Sequence, residues 1–274
     1  MKHPLSKVLR FLIWFSAALV AFFLVLIIGY VLIPGIPELK PGLFEWKYNS
    51  ENVSMMPAVI NTIFIMALTL VIALPISISA AIYLSEYAKG GWVVKLIRMT
   101  AETLSGIPSI VYGLFGYIFF STFLHFGYSI LSGSLTLAIM ILPIVMRTTE
   151  EALMEVPLSL REGSYALGCG KLRTIFKVVV PSALPSILSG VILAIGRIVG
   201  ETAALIYTAG TATNIASSLL SSGRTLAIHM YALMSEGLHM EEARATSAVL
   251  MILVLVINFL SKLICRTKGA EKDE

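Results

Sequence analysis

The chain has 274 residues, of which 57% are hydrophobic and only 13% are charged, and its formal net charge is +4. Because about a quarter of the residues of an average soluble domain are charged, this composition excludes an ordinary water-soluble globular protein. The charged residues also lie apart from long apolar runs, which is typical of a polytopic membrane protein.

Six apolar runs approach or exceed the roughly 18–20 residues that a helix needs to cross a bilayer. They cover residues 9–33, 58–84, 104–124, 129–146, 184–208 and 247–264. Hydrocarbon offers no hydrogen-bond partner to an open strand edge, and the runs lack the alternation of a β-barrel. The sequence therefore predicts an all-α protein with six transmembrane helices, in which the third and fourth are separated only by residues 126–128.

The distribution of positive charge predicts the orientation. With the N-terminus in the cytoplasm, most of the 20 lysine and arginine residues fall on the cytoplasmic side, as the positive-inside rule requires. We therefore expect both termini and residues 147–185 inside, and residues 34–57 and 209–246 outside. This bias accounts for the net charge without a nucleic-acid partner. Cys169 and Cys265 would both face the reducing cytoplasm, so neither a disulfide nor a metal site is expected.

Prolines interrupt three of the predicted spans. Pro75 lies in the second, Pro108 near the start of the third and Pro143 in the fourth. Proline frees backbone carbonyl groups, and a span tolerates this where neighbouring helices or a polar cavity satisfy them. Helices that line a polar path and ordinary packing kinks both explain these residues.

Residues 147–185 form a polar island between two apolar runs. Their periodicity predicts two short helices, the first ending near Pro157 and the second following Ser159, a possible N-cap with Glu162 three residues later. Glycine at positions 163 and 168 would let another protein's backbone approach closely. A docking element and an ordinary hydrophilic loop both fit this composition.

Two charges lie inside the fifth apolar run, Arg197 and Glu201. Because residues four apart share a helix face, they are expected to form an ion pair. The pair would either fix helix packing, with Gly196 and Gly200 allowing close approach, or line a substrate path. Guanidinium is a planar fork of donors that fits a tetrahedral oxyanion, and the glutamate would hold that fork.

The polar segment 209–246 that follows contains an apolar stretch too short to cross the membrane, so an interfacial or re-entrant helix is expected there. Three histidines, His125, His229 and His239, are scattered and lack a ligand partner four residues on. They are interpreted as surface or packing residues.

The polar island resembles the EAA loop of ABC importer permeases. That pattern is Glu-Ala-Ala, three residues, Gly, nine residues, then Ile, one residue and Leu-Pro. Here Glu162, Gly168 and Pro181 keep every spacing, whereas Gly163 and Ser164 replace the alanines and valine fills both aliphatic positions. The resemblance implies that these five residues belong to a coupling helix that inserts into a cytoplasmic ATPase subunit.

Four further stretches resemble the PstA family of phosphate-importer permeases: residues 106–116, 132–153, 156–168 and 190–210. The most diagnostic are R-T-T-E-E-A-L, which begins at Arg147, and R-x-x-G-E-T-A, which begins at Arg197. The resemblance covers about residues 57–265 and implies that Arg197 and Glu201 take part in phosphate translocation. We assign Arg147 to the same path.

The resemblance as a whole implies a type I, MetI-like permease fold over residues 1–274, in a bacterial or archaeal cytoplasmic membrane. The partners it implies are a PstC-like permease, a PstB-like ATPase dimer, a PstS-like phosphate-binding protein and membrane lipid. ATP would bind to the ATPase, because the chain lacks the glycine-rich G-x-x-x-x-G-K-[ST] loop and is not expected to be an enzyme or to hold a cofactor. The alternatives are a permease for molybdate, sulfate or phosphonate, an ion-coupled secondary transporter, and a membrane scaffold or signalling subunit.

Overall fold

The computed structural model describes residues 4–88 and 90–270, with side chains described over residues 8–88 and 90–260. Within these ranges the chain forms eleven α-helices: α1 (Pro4–Gly35), α2 (Met56–Ile82), α3 (Trp92–Ser105), α4 (Ser109–Gly116), α5 (Ile130–Met154), α6 (Leu158–Ala166), α7 (Lys171–Thr174), α8 (Val180–Val199), α9 (Ala203–Thr208), α10 (Leu226–Glu236) and α11 (Met240–Ala270). Short π-helical segments continue α2, α4 and α7. The predicted all-α fold is confirmed.

Five helical stretches are long and apolar enough to cross a membrane, and a sixth is obtained if α3 and the helix that begins at Ser109 count as one broken span. The expectation of a continuous helix over residues 104–124 is wrong, because the chain bends by 101° there. The helix α3 ends at Ser105, and Pro108 disfavours the helical conformation at Ile107, so the break is not closed there. The helices α2 and α5, in contrast, run on through Pro75 and Pro143.

The fifth span also differs from the prediction of a helix over residues 184–208. Its helical stretch begins earlier, at Lys171, and ends at Val199. Residues 200–202 then interrupt the helix before α9 starts at Ala203. Gly200 follows the last helical residue, and glycine weakens a helix at that point because its backbone retains the most conformational freedom.

The core lies where α5 packs between α2 and α8. Buried aliphatic side chains from all three helices meet there: Ile65, Leu137, Ile141, Val145, Ala194 and Ile198. The α5–α8 crossing is very close, since a Cβ atom at Gly190 would lie 2.2 Å from Oγ1 of Thr148. Such small-residue contacts are how membrane helices approach one another without a hydrophobic driving force.

The N-terminal helix α1 packs mainly on α11, and the rest of its surface is exposed apolar side chains. Near the same end of the molecule, the loop over residues 36–55 and the short helix α10 cover the start of α11. The Thr225 hydroxyl caps α10 by accepting a hydrogen bond from the Ile228 amide at 3.4 Å. The helix expected within residues 209–246 exists, but it buries Leu226–His229 and Leu233 against the protein.

Candidate functional site

Arg197 lies on the last turn of the membrane-spanning helix α8 and is half-buried. Within the described residues its guanidinium makes no hydrogen bond and no ion pair. Its charge acts on Tyr112, a buried residue of α4 whose hydroxyl donates to the Leu104 carbonyl oxygen at 2.8 Å. The end of α8 therefore presents a cationic fork whose donors are available to a ligand.

The expected ion pair between Arg197 and Glu201 is not formed in the described part of the chain. The pairing rule needs an unbroken helix, and α8 ends two residues before Glu201. Instead, Oε1 of Glu201 accepts a hydrogen bond from the Ala204 amide at 3.1 Å. The carboxylate thus caps the N-terminus of α9, where a negative charge is favourable.

The two glycines beside Arg197 do not bring another part of the chain close. A Cβ atom at Gly196 would have no neighbour within 4 Å, and one at Gly200 would meet only the Gly196 carbonyl oxygen, at 3.6 Å. The close approach that one of the two interpretations of the pair required is therefore not made among the described residues. The two glycines leave open space on the surface next to the guanidinium.

Arg147 lies near the C-terminal end of α5 and is 56% exposed. It pairs with Glu151 at 3.0 Å and with Glu102 of α3 at 3.7 Å. The adjacent Thr148 contacts Gly190, which is seven residues before Arg197 in α8. At 1.5 Å per residue, Arg197 thus lies about 10 Å beyond Gly190 along α8. The structure does not bring these two arginines together: Arg147 adjoins the α5–α8 contact, and Arg197 lies about two helical turns beyond it along α8.

Sequence reasoning missed the ion pair that joins α3 to α5. Arg98 holds Oε1 of the nearly buried Glu150 through Nη2 at 2.6 Å and Nε at 2.9 Å. Both residues of the pair line a cleft. Its lining residues are Arg98, Ala101, Glu102, Met146, Arg147, Glu150, Glu151 and Met154. The two residues are 52 positions apart, so no local spacing in the sequence marks them as a pair.

The polar island folds into the coupling hairpin, which we define as residues 158–174 and which comprises α6 and α7. Its tip carries Gly168 with φ at +80°, a conformation that favours glycine. Glu162 and Gly163 are exposed, and a Cβ atom at Gly163 or Gly168 would meet nothing within 4 Å. Ser164 is buried, and its Oγ lies 2.8 Å from Oγ1 of Thr174, so it joins the two helices. Glu162, Gly163 and Gly168 therefore lie on the open surface of the hairpin, whereas Ser164 holds its two helices together.

Two details of the island differ from the prediction. The helix α6 starts at Leu158, so Ser159 lies inside its first turn and Pro157 occupies the cap position without a side-chain hydrogen bond. Pro181 lies outside the hairpin, exposed in the first turn of α8.

The hairpin also exposes large apolar side chains: Leu158 (65%), Leu167 (85%) and Leu172 (64%). Exposed apolar side chains that form a contiguous patch are typical of protein- or membrane-interaction surfaces.

Residues 73–266 match the family described as binding-protein-dependent transport system inner membrane component, which is more than half of the chain. The chain belongs to this family of ABC importer permeases. This permease is therefore a multi-pass inner-membrane component of an ABC importer, and it is not the catalytic subunit. It works with an ATPase and a binding protein, as the family does in general.

Two curated proteins are similar to this permease over most of their length. The probable ABC transporter permease protein YqgI of Bacillus subtilis (strain 168) is 34% identical over 264 residues, covering 90% of each chain. The phosphate transport system permease protein PstA of Pasteurella multocida (strain Pm70) is 39% identical over 212 residues, covering 76% of this chain and 74% of that protein.

The fold resembles that of solved ABC importers. A bacterial alginate ABC transporter in complex with its alginate-bound periplasmic protein matches with a TM-score of 0.67, covering 96% of this chain and 97% of that chain. Its sequence is only 14% identical, so the match supports the importer permease fold and nothing finer.

Proposed function

We propose that this permease translocates inorganic phosphate across the cytoplasmic membrane. It would do so with a PstC-like second permease, a PstB-like ATPase dimer and a PstS-like phosphate-binding protein. The observation that carries the proposal is the half-buried guanidinium of Arg197 at the end of a membrane-spanning helix, which has no hydrogen-bond or ion-pair partner among the residues that the structure describes. Support for the cargo comes from the Pasteurella multocida relative, whose name is that of a phosphate transport permease.

The chemistry of Arg197 suits a phosphate ion. Its fork can donate two parallel hydrogen bonds to two phosphate oxygens while its charge offsets part of the anion's charge. A carboxylate partner would occupy those donors, and Glu201 does not, because it caps α9. Glu201 instead places a negative charge a few residues beyond the fork, which would help the anion to leave.

Arg147 would receive the anion on the cytoplasmic side of Arg197. Its charge is shared with Glu151 and Glu102 in an exposed cluster, where ion pairs are weak and exchange readily. With Arg197 about two helical turns beyond the α5–α8 contact that Arg147 adjoins, the two arginines would divide the transport path into two shorter steps.

The coupling hairpin would receive the ATPase. Glu162, Gly163 and Gly168 lie on its open surface, and the exposed leucines beside them would be covered by the partner. Closure of the ATPases would then move the hairpin and tilt the helices joined to it. This requires the hairpin and both termini to face the cytoplasm, as the positive-inside rule predicts.

A different oxyanion is the second candidate cargo, because a guanidinium fork also fits molybdate, sulfate or phosphonate. An ion-coupled secondary transporter is disfavoured by membership of a binding-protein-dependent family.

The test of the cargo is uptake of radiolabelled phosphate by proteoliposomes that contain the four-component importer. We expect ATP-dependent phosphate uptake that excess sulfate, molybdate or phosphonate does not inhibit. Transport of one of those anions in place of phosphate would contradict the assigned cargo and leave the permease role intact.

A further inference from the structure

The guanidinium of Arg161, in the first half of α6, points back to the helices that precede the hairpin. Its Nη1 donates to the Val156 carbonyl oxygen at 2.6 Å, and its Nη2 donates to the Leu153 carbonyl oxygen at 2.8 Å. The same Nη2 lies 2.8 Å from Oε1 of Glu86, in the π-helical segment Tyr83–Tyr87 that ends α2. Both charged side chains are nearly enclosed, with 15% of Arg161 and 8% of Glu86 exposed.

The second helix of the hairpin is held at the same place. The Lys171 ammonium group donates to the backbone carbonyl oxygen of Glu86 and lies 4.6 Å from the centre of the Tyr87 ring. The Ser164–Thr174 contact joins α6 to α7. The whole hairpin is therefore fastened to the end of α2, although more than seventy residues separate them in the sequence.

The hairpin is attached to α2 by non-covalent contacts, whereas the backbone joins it to α5 and α8. The hairpin continues directly from α5 and into α8, so movement of the hairpin must reach those two helices. No such continuity exists with α2, because the chain leaves α2 through Ala88–Gly91 toward α3. Only non-covalent contacts can move α2 with the hairpin.

We propose that the Glu86–Arg161 ion pair is the direct link from the coupling hairpin to α2, in addition to the packing of α2 on α5. The proposal rests on the proposed function, in which an ATPase docks on this hairpin. Separating two enclosed opposite charges is costly, since each would remain away from water without its partner. The pair therefore resists extension, and α2 follows the hairpin together with α5 and α8.

The test compares two reporter positions in the assembled importer, in a background lacking Cys169 and Cys265. One reporter is a cysteine at Ile63, exposed on α2, and the other is a cysteine at Leu193, exposed on α8. Reactivity toward a maleimide is measured without nucleotide and after trapping with ATP and vanadate. The variant is the double substitution Glu86→Gln, Arg161→Gln, which avoids leaving one charge enclosed alone.

In the otherwise unchanged protein, we expect both reporters to change reactivity on trapping. In the double variant, we expect the α2 reporter to lose its response while the α8 reporter keeps it, and phosphate uptake per ATP hydrolysed should fall about tenfold. In Arg161→Lys, which keeps the charge but loses the planar pair of donors, phosphate uptake per ATP hydrolysed should fall less. Lys95→Gln is the control, because Lys95 is exposed on α3, outside the hairpin, and makes no ion pair within the described residues.

Three results would overturn the link: a persistent α2 response in the double variant, loss of both responses, or loss of the ATPase from the purified complex. The last two would mean that the pair folds the hairpin as a whole. Failure of the proposed function looks different. In that case the ATPase would not bind even to the protein with Glu86 and Arg161 intact, and neither reporter would respond.

Discussion

A charge at the centre of a membrane-spanning helix costs about 2.5–3.5 kcal/mol on insertion scales, and the cost is smaller on the last turn, where Arg197 lies. Nothing in the described part of the chain repays that cost through an ion pair. A charge retained without a structural partner is most simply explained by a ligand or by a neighbouring subunit. The proposed path uses it for the anion, at the point where α8 ends and open space begins.

The variant Arg197→Lys tests whether transport needs the paired donors of the guanidinium or only its positive charge. Lysine keeps the charge but concentrates it on a strongly hydrated ammonium group without the planar pair of donors. We expect phosphate uptake to fall roughly tenfold, which is the effect of losing one charge-assisted hydrogen bond of about 1.5 kcal/mol. Initial rates of radiolabelled uptake measure this, with Arg10→Lys as a control in the exposed N-terminal helix. Unimpaired transport by Arg197→Lys would show that the geometry of the fork is not used.

The buried side chain of His229 leads us to predict that acid destabilises the folded protein. The ring is fully buried next to Arg224, and neither ring nitrogen has a hydrogen-bond partner in the described part of the chain. Burial, together with the nearby positive charge, lowers the pKa of His229 to about 3, while the backbone of Val53 acts in the opposite direction. Unfolded histidine has a pKa near 6.5, so protonation favours the unfolded state below that pH.

Stability should therefore be full above pH 6.5 and should decline as the pH falls toward 3. Between pH 6.5 and 5 the loss attributable to this residue is about 2 kcal/mol. We expect the apparent melting temperature of the detergent-purified protein to drop over this range and the drop to be smaller in His229→Gln. His239→Gln is the control, since that side chain is 32% exposed. An equal drop in His229→Gln would show that the ring does not govern acid sensitivity.

At the scale of elements, the coupling hairpin should be separable from the proposed anion path. Glu162→Lys reverses the charge on its open surface, and Gly168→Asp places a side chain where φ is +80° and a partner would approach. We expect both variants to lose the ATPase during purification and to lose uptake, while the melting temperature of the permease itself changes little. Retention of the ATPase with normal stimulated hydrolysis would contradict docking at this surface.

The sequence predicted the apolar spans and the hairpin well, because both depend on local pattern. Apolar length marks a span whatever its neighbours are, and the spacing of Glu162, Gly168 and Pro181 marks the hairpin. Breaks within spans were missed, since a run over residues 184–208 looks equally apolar on both sides of Gly200. The lost Arg197–Glu201 pair follows from that single break.

Long-range pairs were also beyond sequence reasoning. Glu86 and Arg161 meet only because the hairpin folds back on the end of α2, and Arg98 meets Glu150 only because α3 bends back toward α5. Neither contact has a local spacing that a pattern could detect.

At the scale of the whole molecule, the proposed orientation places the loop over residues 36–55 outside and the hairpin inside. In a background lacking Cys169 and Cys265, cysteines at the exposed positions Ser50 and Ser217 should react with an impermeant thiol reagent in intact cells. A cysteine at Ser159, exposed on α6, should react only after the membrane is opened. The reverse pattern would overturn the orientation and the docking of a cytoplasmic ATPase.

The most direct test of the central claim is phosphate uptake by the double variant Arg197→Gln, Glu201→Gln in the reconstituted four-component importer. Removing the fork costs two charge-assisted hydrogen bonds, about 3 kcal/mol in all, so uptake should fall about 100-fold. The ATPase should remain bound, because the coupling hairpin is unchanged. Substantial ATP-driven phosphate uptake by this variant would show that the anion does not pass Arg197 and would contradict the account.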